Sequence, residues 1–265
     1  MALIKRRAKA EDAPAGAPLS PADDTPQGAP LDAQAASLRL MGHELRTPLN
    51  AIIGFADIIA AQLYGPIPDP RYADHARMIR QSGMRLLDVV NRLVELSRLD
   101  AGAADLHLRP TRAHDVVEDA FRAVAHLARE RNVTLASELP ESLPRVRGDA
   151  RALVTVLHNL LSNAVEASPP EGVVRLTVKV HGDGDGASVS FVVRDEGDGV
   201  SAELLPRIIH PFVQGENALV RQTTGAGLGL PIALGLTKAM GGTLTLTSHP
   251  GEGFVATATL PVDQA

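Results

Sequence analysis

Gly42-His43-Glu44-Leu45-Arg46-Thr47-Pro48-Leu49 lies within a longer run whose apolar positions, Leu38, Met41, Leu45, Leu49, Ile52, Ala56, Ile59 and Leu63, advance in alternating steps of three and four. That spacing predicts an amphipathic helix with a coiled-coil-like seam. Its histidine, carboxylate and hydroxyl fall on about one turn. The His43 imidazole is a nucleophile usable near neutral pH, Glu44 beside it can orient it or take its proton, and Thr47, four residues on, shares its face. The octapeptide is therefore a candidate phosphate-accepting site, to be weighed against a plain solvated turn. Pro48 removes a backbone donor and is expected to bend the helix locally.

Working outward, Gly65-Pro66-Ile67-Pro68-Asp69-Pro70 stops this helix, and a second periodic series follows at Tyr72, Ala76, Ile79, Gly83, Leu86, Val90, Leu93 and Leu96. The pair forms a helical hairpin. Two helices with long apolar stripes cannot hide them alone, so a homodimer closing a four-helix bundle is expected. Upstream, residues 1–36 are rich in Ala, Pro, Asp and Gly and contain no aromatic, which predicts a disordered N-terminal tail. Its basic start, Lys5, Arg6, Arg7 and Lys9, is read as solvated charge.

After Ala101-Gly102 the pattern changes. Helices are expected over about 115–131, from an Asp149 cap to about 167, and over about 228–240. Strands are expected over about 133–138, 173–180, 188–194, 243–247 and 254–260, with a hairpin turn through Gly182-Asp183-Gly184-Asp185-Gly186. The fold class is thus multidomain: an α hairpin over residues 37–102, then an α/β sandwich with a mixed sheet over 110–263.

Composition narrows the partners. The net charge of −5, from 26 Lys+Arg against 31 Asp+Glu, provides no basic field for nucleic acid. The chain has no cysteine, which fits a reducing compartment, so a cytoplasmic location is expected. No apolar run approaches the roughly 18 to 20 residues of a membrane span, and no integral membrane segment is expected.

Three clusters in the second domain carry polar or glycine residues that a purely structural element would not need. Asn159 and Asn163 sit four apart on an apolar helix, so their carboxamides point the same way and can hold a hard cation. Asp195-Glu196-Gly197-Asp198-Gly199 follows a strand, where the glycines admit a planar ligand and Asp195 can accept from an exocyclic amine. Gly225-Ala226-Gly227-Leu228-Gly229-Leu230 opens a helix whose bare amides and dipole suit phosphate oxygens. Alone, each has an ordinary reading as a cap, a loop or a tight turn.

Together and in this order, these motifs resemble a sensor histidine kinase of two-component signalling over about residues 36–261. The resemblance implies the ATP-binding sandwich shared with gyrase-type and Hsp90-type ATPases (the GHKL or Bergerat fold), following a dimerisation and phosphoacceptor hairpin. His43 matches the autophosphorylated histidine, Glu44 its acidic neighbour and Thr47 the hydroxyl that helps position water for dephosphorylating the regulator. Asn159 and Asn163 match the asparagine box, with Asn163 the surer ligand of Mg²⁺. Asp195, Gly197 and Gly199 match the adenine-contacting box, and Pro211-Phe212 the phenylalanine box. Gly225, Gly227 and Gly229, followed by Leu230, match the second glycine box, while Gly241-Gly242 and residues 248–253 resemble the closing hairpin.

The resemblance further implies ATP and Mg²⁺ as cofactors, a lid over about residues 201–224 hinged at Gly215 and Gly225, and transfer from phosphohistidine to an aspartate of a separate response regulator. The same regulator would be dephosphorylated by this chain. An upstream sensor or regulatory protein is the expected source of input. Where many relatives carry a lysine near the phosphates, this chain has Glu166, which would repel phosphate unless a metal or an arginine compensates, and Arg221 in the lid is one candidate. Two other readings stand beside the kinase: an ATP-independent phosphotransfer or scaffold protein on the same fold, and a gyrase-like or Hsp90-like ATPase, which has no use for the His43 to Thr47 cluster.

Overall fold

The computed structural model describes residues 31–213 and 226–264, with side chains described from residue 45 onward, Asp185 apart. Two long helices come first, α1 (Leu31–Ala60) and α2 (Pro70–Asp100). α1 begins inside the segment expected as tail, because Ala33-Gln34-Ala35-Ala36 are strong helix formers following Pro30 and extend the helix back from the apolar run. Residues 1–30 lie outside the described residues. α1 continues through Pro48 and gives way to a turn in which Gln62 and Gly65 take positive φ of 52° and 114°. Asp69 caps α2 by accepting from the Arg71 amide at 3.0 Å, with Pro70 in the first turn. The turn leaves Tyr64 and Tyr72 exposed.

The apolar series of each helix splits into two columns with a spacing of seven. Leu49 and Ala56 of α1 and Ala76, Gly83 and Val90 of α2 are buried, whereas Leu45, Ile52 and Ile59, and Tyr72, Ile79 and Leu86, are exposed. The first column joins the two helices. A Cβ on Gly83 would lie 2.8 Å from Ile53 Cγ1, so this glycine sets their close approach. Arg80 pairs with Asp57 at 3.4 Å, and Arg46 Nε donates to Asn91 Oδ1 at 2.6 Å. The second column has no partner within the hairpin, as a half-bundle requires.

The α/β unit runs β1 (Arg109–Thr111), α3 (Ala113–Glu130), β2 (Thr134–Glu138), β3 (Val146–Gly148), α4 (Ala150–Ala167), β4 (Val173–His181), β5 (Ser188–Arg194), α5 (Gly229–Ala239), β6 (Thr243–Ser248) and β7 (Phe254–Pro261). Five strands form one sheet in the order β2-β4-β5-β7-β6, with β2 and β4 parallel and the other neighbours antiparallel. This is the expected mixed sheet. β1 and β3 pair antiparallel as a separate ribbon that the sequence reading lacked. Alternation buries Val174, Leu176 and Val178 of β4, Val189, Phe191 and Val193 of β5, and Ala256, Ala258 and Leu260 of β7, with Ser190 of the central β5 buried on the other face as well. These side chains meet Leu153, Leu157 and Leu161 of α4 and Ile232 and Leu236 of α5 in one core.

α2 belongs to both parts of the molecule. Leu96 is buried in the α/β core, with Val89 and Leu99 packed against it. Gly235 of α5 provides the room, since a Cβ there would stand 3.0 Å from Leu99 Cδ1.

Candidate active site

A cavity of about 800 Å³ opens between α4, the loop after β5, the segment leading into α5, and the flank of α2. Its floor is set by β5, whose last buried residue, Val193, lines it and whose end delivers Asp195 to the loop. Asp195 is 2% exposed, and its Oδ1 accepts from the amides of Gly197 at 2.8 Å and Phe254 at 3.1 Å. Burial dominates its titration and pushes the carboxyl up to about 6, although the two amides and Arg194 favour the charged form. Oδ2 has no protein hydrogen bond among the described residues, where no buried side-chain oxygen is left unpaired, so this oxygen is open to the cavity that Asp195 lines.

The turn between β6 and β7 holds this loop in place. Ser248 Oγ accepts from the Val200 amide at 2.9 Å and donates to Gly253 O at 2.6 Å, while the Gly251 amide donates to Asp198 O at 2.7 Å. Gly199 has φ +66°, and a Cβ there would run into the carbonyl of His249. Gly197 is confined as well, a Cβ lying 2.7 Å from Ala167 O.

The opposite end of the cavity is built by α4 and α5. Asp149 caps α4, accepting from Arg151 and Ala152 amides at 2.9 and 3.1 Å, which fixes the helix phase that puts Asn159 and Asn163 on one face. Both carboxamides approach the start of α5: a Cβ on Gly229 would lie 3.3 Å from Asn159 Oδ1 and 3.5 Å from Asn163 Oδ1. α5 has no side-chain cap, and with Pro231 lacking an N–H and the Ile232 amide donating to Leu228 O, the amides of Gly229 and Leu230 are the first-turn donors left beside the cavity. These residues fit Mg²⁺ held jointly with a phosphate chain. Carboxamide oxygens suit a hard cation that takes one or two protein donors plus phosphate oxygens, and no cluster of three or more His, Asp or Glu suited to a metal occurs among the described residues.

α2 forms the remaining wall through Met84, Arg85, Asp88, Val89 and Arg92. Arg92 Nε donates to Asp88 Oδ2 at 2.7 Å, and its Nη1 reaches across to Asn159 Oδ1 at 3.2 Å. His158 of α4 stands on the same rim; burial first, and Arg92 next, hold its imidazole below the usual range. Glu95, farther along α2, is pushed up by burial. Arg46 meets Asn91 one residue before Arg92, and His43 is three residues before Arg46 on α1. The turn that carries His43 and the cavity wall therefore occupy neighbouring levels of the hairpin.

Of the expected site residues, Asn163, Asp195, Gly199, Gly227, Gly229 and Leu230 line the cavity. Asn159 lies just behind, 3% exposed, and Gly197 backs Asp195. Phe212 is not brought to the cavity. It has a positive φ of 64°, its side chain is exposed, and only its backbone takes part, the amide donating to Gly227 O at 3.1 Å. Gly227, at φ +70°, is pressed against this turn. Thr47 is exposed on α1; the side chains of His43 and Glu44, and Gly215, Arg221 and Gly225, lie outside what is described. Arg85, Asp88, Arg92 and His158 were not expected here. The one sequence signal was the i,i+4 pair Asp88 and Arg92, which is also an ordinary feature of solvated helices.

Comparison with known proteins agrees with this geometry. Residues 33–102 match the His Kinase A (phospho-acceptor) domain, and residues 148–264 match the histidine kinase-, DNA gyrase B- and HSP90-like ATPase domain. A sensor-like histidine kinase of Rhizobium meliloti is 36% identical over 232 residues, covering 88% of this chain and 43% of the relative. The non-motile and phage-resistance protein of Caulobacter vibrioides is 39% identical over 230 residues, covering 87% and 27%. The full-length structure of ShkA in complex with AMPPNP superposes with a TM-score of 0.73 at 30% identity, covering 87% of this chain and 47% of that one. The chain thus spans less than half the length of these relatives. With a phosphoacceptor hairpin joined to a GHKL-type ATPase domain, it belongs to the sensor histidine kinases of two-component systems.

Proposed function

We propose that this chain is an ATP-dependent kinase that phosphorylates its own His43 and passes the group to an aspartate of a separate response regulator, which it also dephosphorylates. One observation carries the reading: Asn163, Asp195, Gly227 and Gly229 converge on a single cavity whose remaining wall is the hairpin itself. Adenine would place its exocyclic amine against Asp195, and the phosphate chain would lie at the first turn of α5 near Asn159 and Asn163. Mg²⁺ bound there would neutralise charge on the phosphates. Phosphoryl transfer depends on positioning and charge stabilisation, so the decisive event is delivery of the γ-phosphorus in line with an imidazole nitrogen of His43. Glu44 would hold the nucleophilic tautomer or accept the proton, and Thr47 would position the water that hydrolyses the regulator's aspartyl phosphate to free phosphate. Residues 37–102 then act as the dimerising phosphoacceptor unit and 110–263 as the catalytic unit.

A second reading rests on Glu166. It lines the cavity with Asp198 where relatives often carry a cation, which favours a phosphotransfer protein that does not use ATP. Incubating the purified chain with γ-labelled Mg-ATP, beside His43→Ala, separates the two. Acid-labile label present in the unaltered chain and absent from the variant is the expected result. Label that survives in His43→Ala, or phosphate release without any labelled protein, would overturn the histidine kinase reading.

A further inference from the structure

The charge lining the cavity is unevenly sourced. The α/β unit contributes the carboxylates of Glu166, Asp195 and Asp198 and, among the described residues, no lysine or arginine. The two arginines that line the cavity among the described residues, Arg85 and Arg92, both come from α2. Arg92 is also the better placed. Its guanidinium is bonded to Asn159 Oδ1, and that oxygen is 3.3 Å from where a Cβ would stand on Gly229, the first residue of α5. The arginine head therefore sits beside the start of α5, where the phosphate chain is proposed to lie. Asp88 grips it from the other side through Nε, which orients the fork and leaves the Nη edge directed at the α4 and α5 face.

We propose that Arg92 is a phosphate-binding residue of the nucleotide site, supplied by the hairpin, and that it provides positive charge that the described α/β lining of the cavity lacks. This inference rests on the ATP reading above. A phosphate chain at α5 would take up the Nη donors of Arg92 as charge-assisted hydrogen bonds, with Asn159 released toward the metal. Asp88 is a positioning residue, acting through Arg92. Nucleotide binding would then fasten α2 to the ATPase unit, and a nucleotide with a longer phosphate chain would fasten it more firmly.

The test is calorimetric titration of the full chain with AMPPNP, ADP and adenosine in the presence of Mg²⁺, for the unaltered protein, Arg92→Gln, Arg92→Lys and Asp88→Asn. Arg92→Gln should weaken AMPPNP roughly tenfold or more while leaving adenosine unchanged. Arg92→Lys should recover part of the loss because it keeps the charge, and Asp88→Asn should show a smaller loss with the same dependence on phosphate number. Unchanged or tighter AMPPNP binding in Arg92→Gln, with the unaltered chain binding normally, overturns the role of Arg92 and leaves the ATP reading standing; tighter binding would mean that the arginine competes with metal for Asn159. Failure of the unaltered chain to bind AMPPNP overturns both.

Discussion

Asp195 sits under two opposed demands, since its burial favours the neutral acid while its proposed task as acceptor for an adenine amine favours the carboxylate. Burial moves its pKa from 3.8 up to about 6. Between about pH 4 and 6 the folded chain keeps a proton that the unfolded chain has released, so the stability contributed by this group falls as pH rises through that window. Nucleotide affinity should run the other way, strengthening as pH rises through about 6 and the carboxylate forms. Asp195→Asn should flatten that dependence and weaken AMPPNP roughly tenfold at neutral pH, because its amide presents a donor to a donor. A binding constant that does not change between about pH 5 and 7 in the unaltered chain would refute the assignment.

At the scale of single elements, α4 carries Asn159 and Asn163, the proposed phosphate end of the site, and depends on its first turn. Asp149 accepts from Arg151, Ala152 and His107, and although burial pushes its carboxyl up, these three amides hold it below the usual range. Its stabilisation is therefore complete above the unfolded value and fades as pH falls through the folded one. Asp149→Ala should cost about 1–2 kcal/mol, read as a lower denaturant midpoint with an unchanged slope.

α4 was legible from residue 149 onward because a capping aspartate and a periodic apolar run point to the same start. The three-residue strands β1 and β3 were not, because three residues carry no period. Within the site, the clusters around Asn159, Asp195 and Gly227 announced themselves by polar groups and glycines that packing does not require. Arg92 did not, since its meaning arises from a contact with a residue 67 positions away. Phe212 was legible as a motif, yet its left-handed backbone leaves the ring outside the cavity.

For the molecule as a whole, the two columns of the hairpin divide the work of association. One column buries Ala76, Gly83 and Val90 within the chain; the other leaves Leu45, Ile52, Ile79 and Leu86 about half exposed. Exposed apolar residues repeating every seven positions along two antiparallel helices fit a second copy of the same hairpin. Ile52→Asp combined with Ile79→Asp should convert a dimer to a monomer in light scattering while AMPPNP binding persists. A double variant that remains dimeric would place the association elsewhere.

The exposed turn of the hairpin has an optical consequence. Tyr64 and Tyr72 are the only tyrosines, and there is no tryptophan. Both rings sit near the bend joining α1 to α2, at 92% and 64% exposure, and the nucleotide-binding half carries neither residue type. Tyrosine emission from this chain is thus a beacon fixed at one tip of the hairpin, so a change in its intensity or anisotropy on adding nucleotide would report motion relayed along α2 from a site that is itself dark.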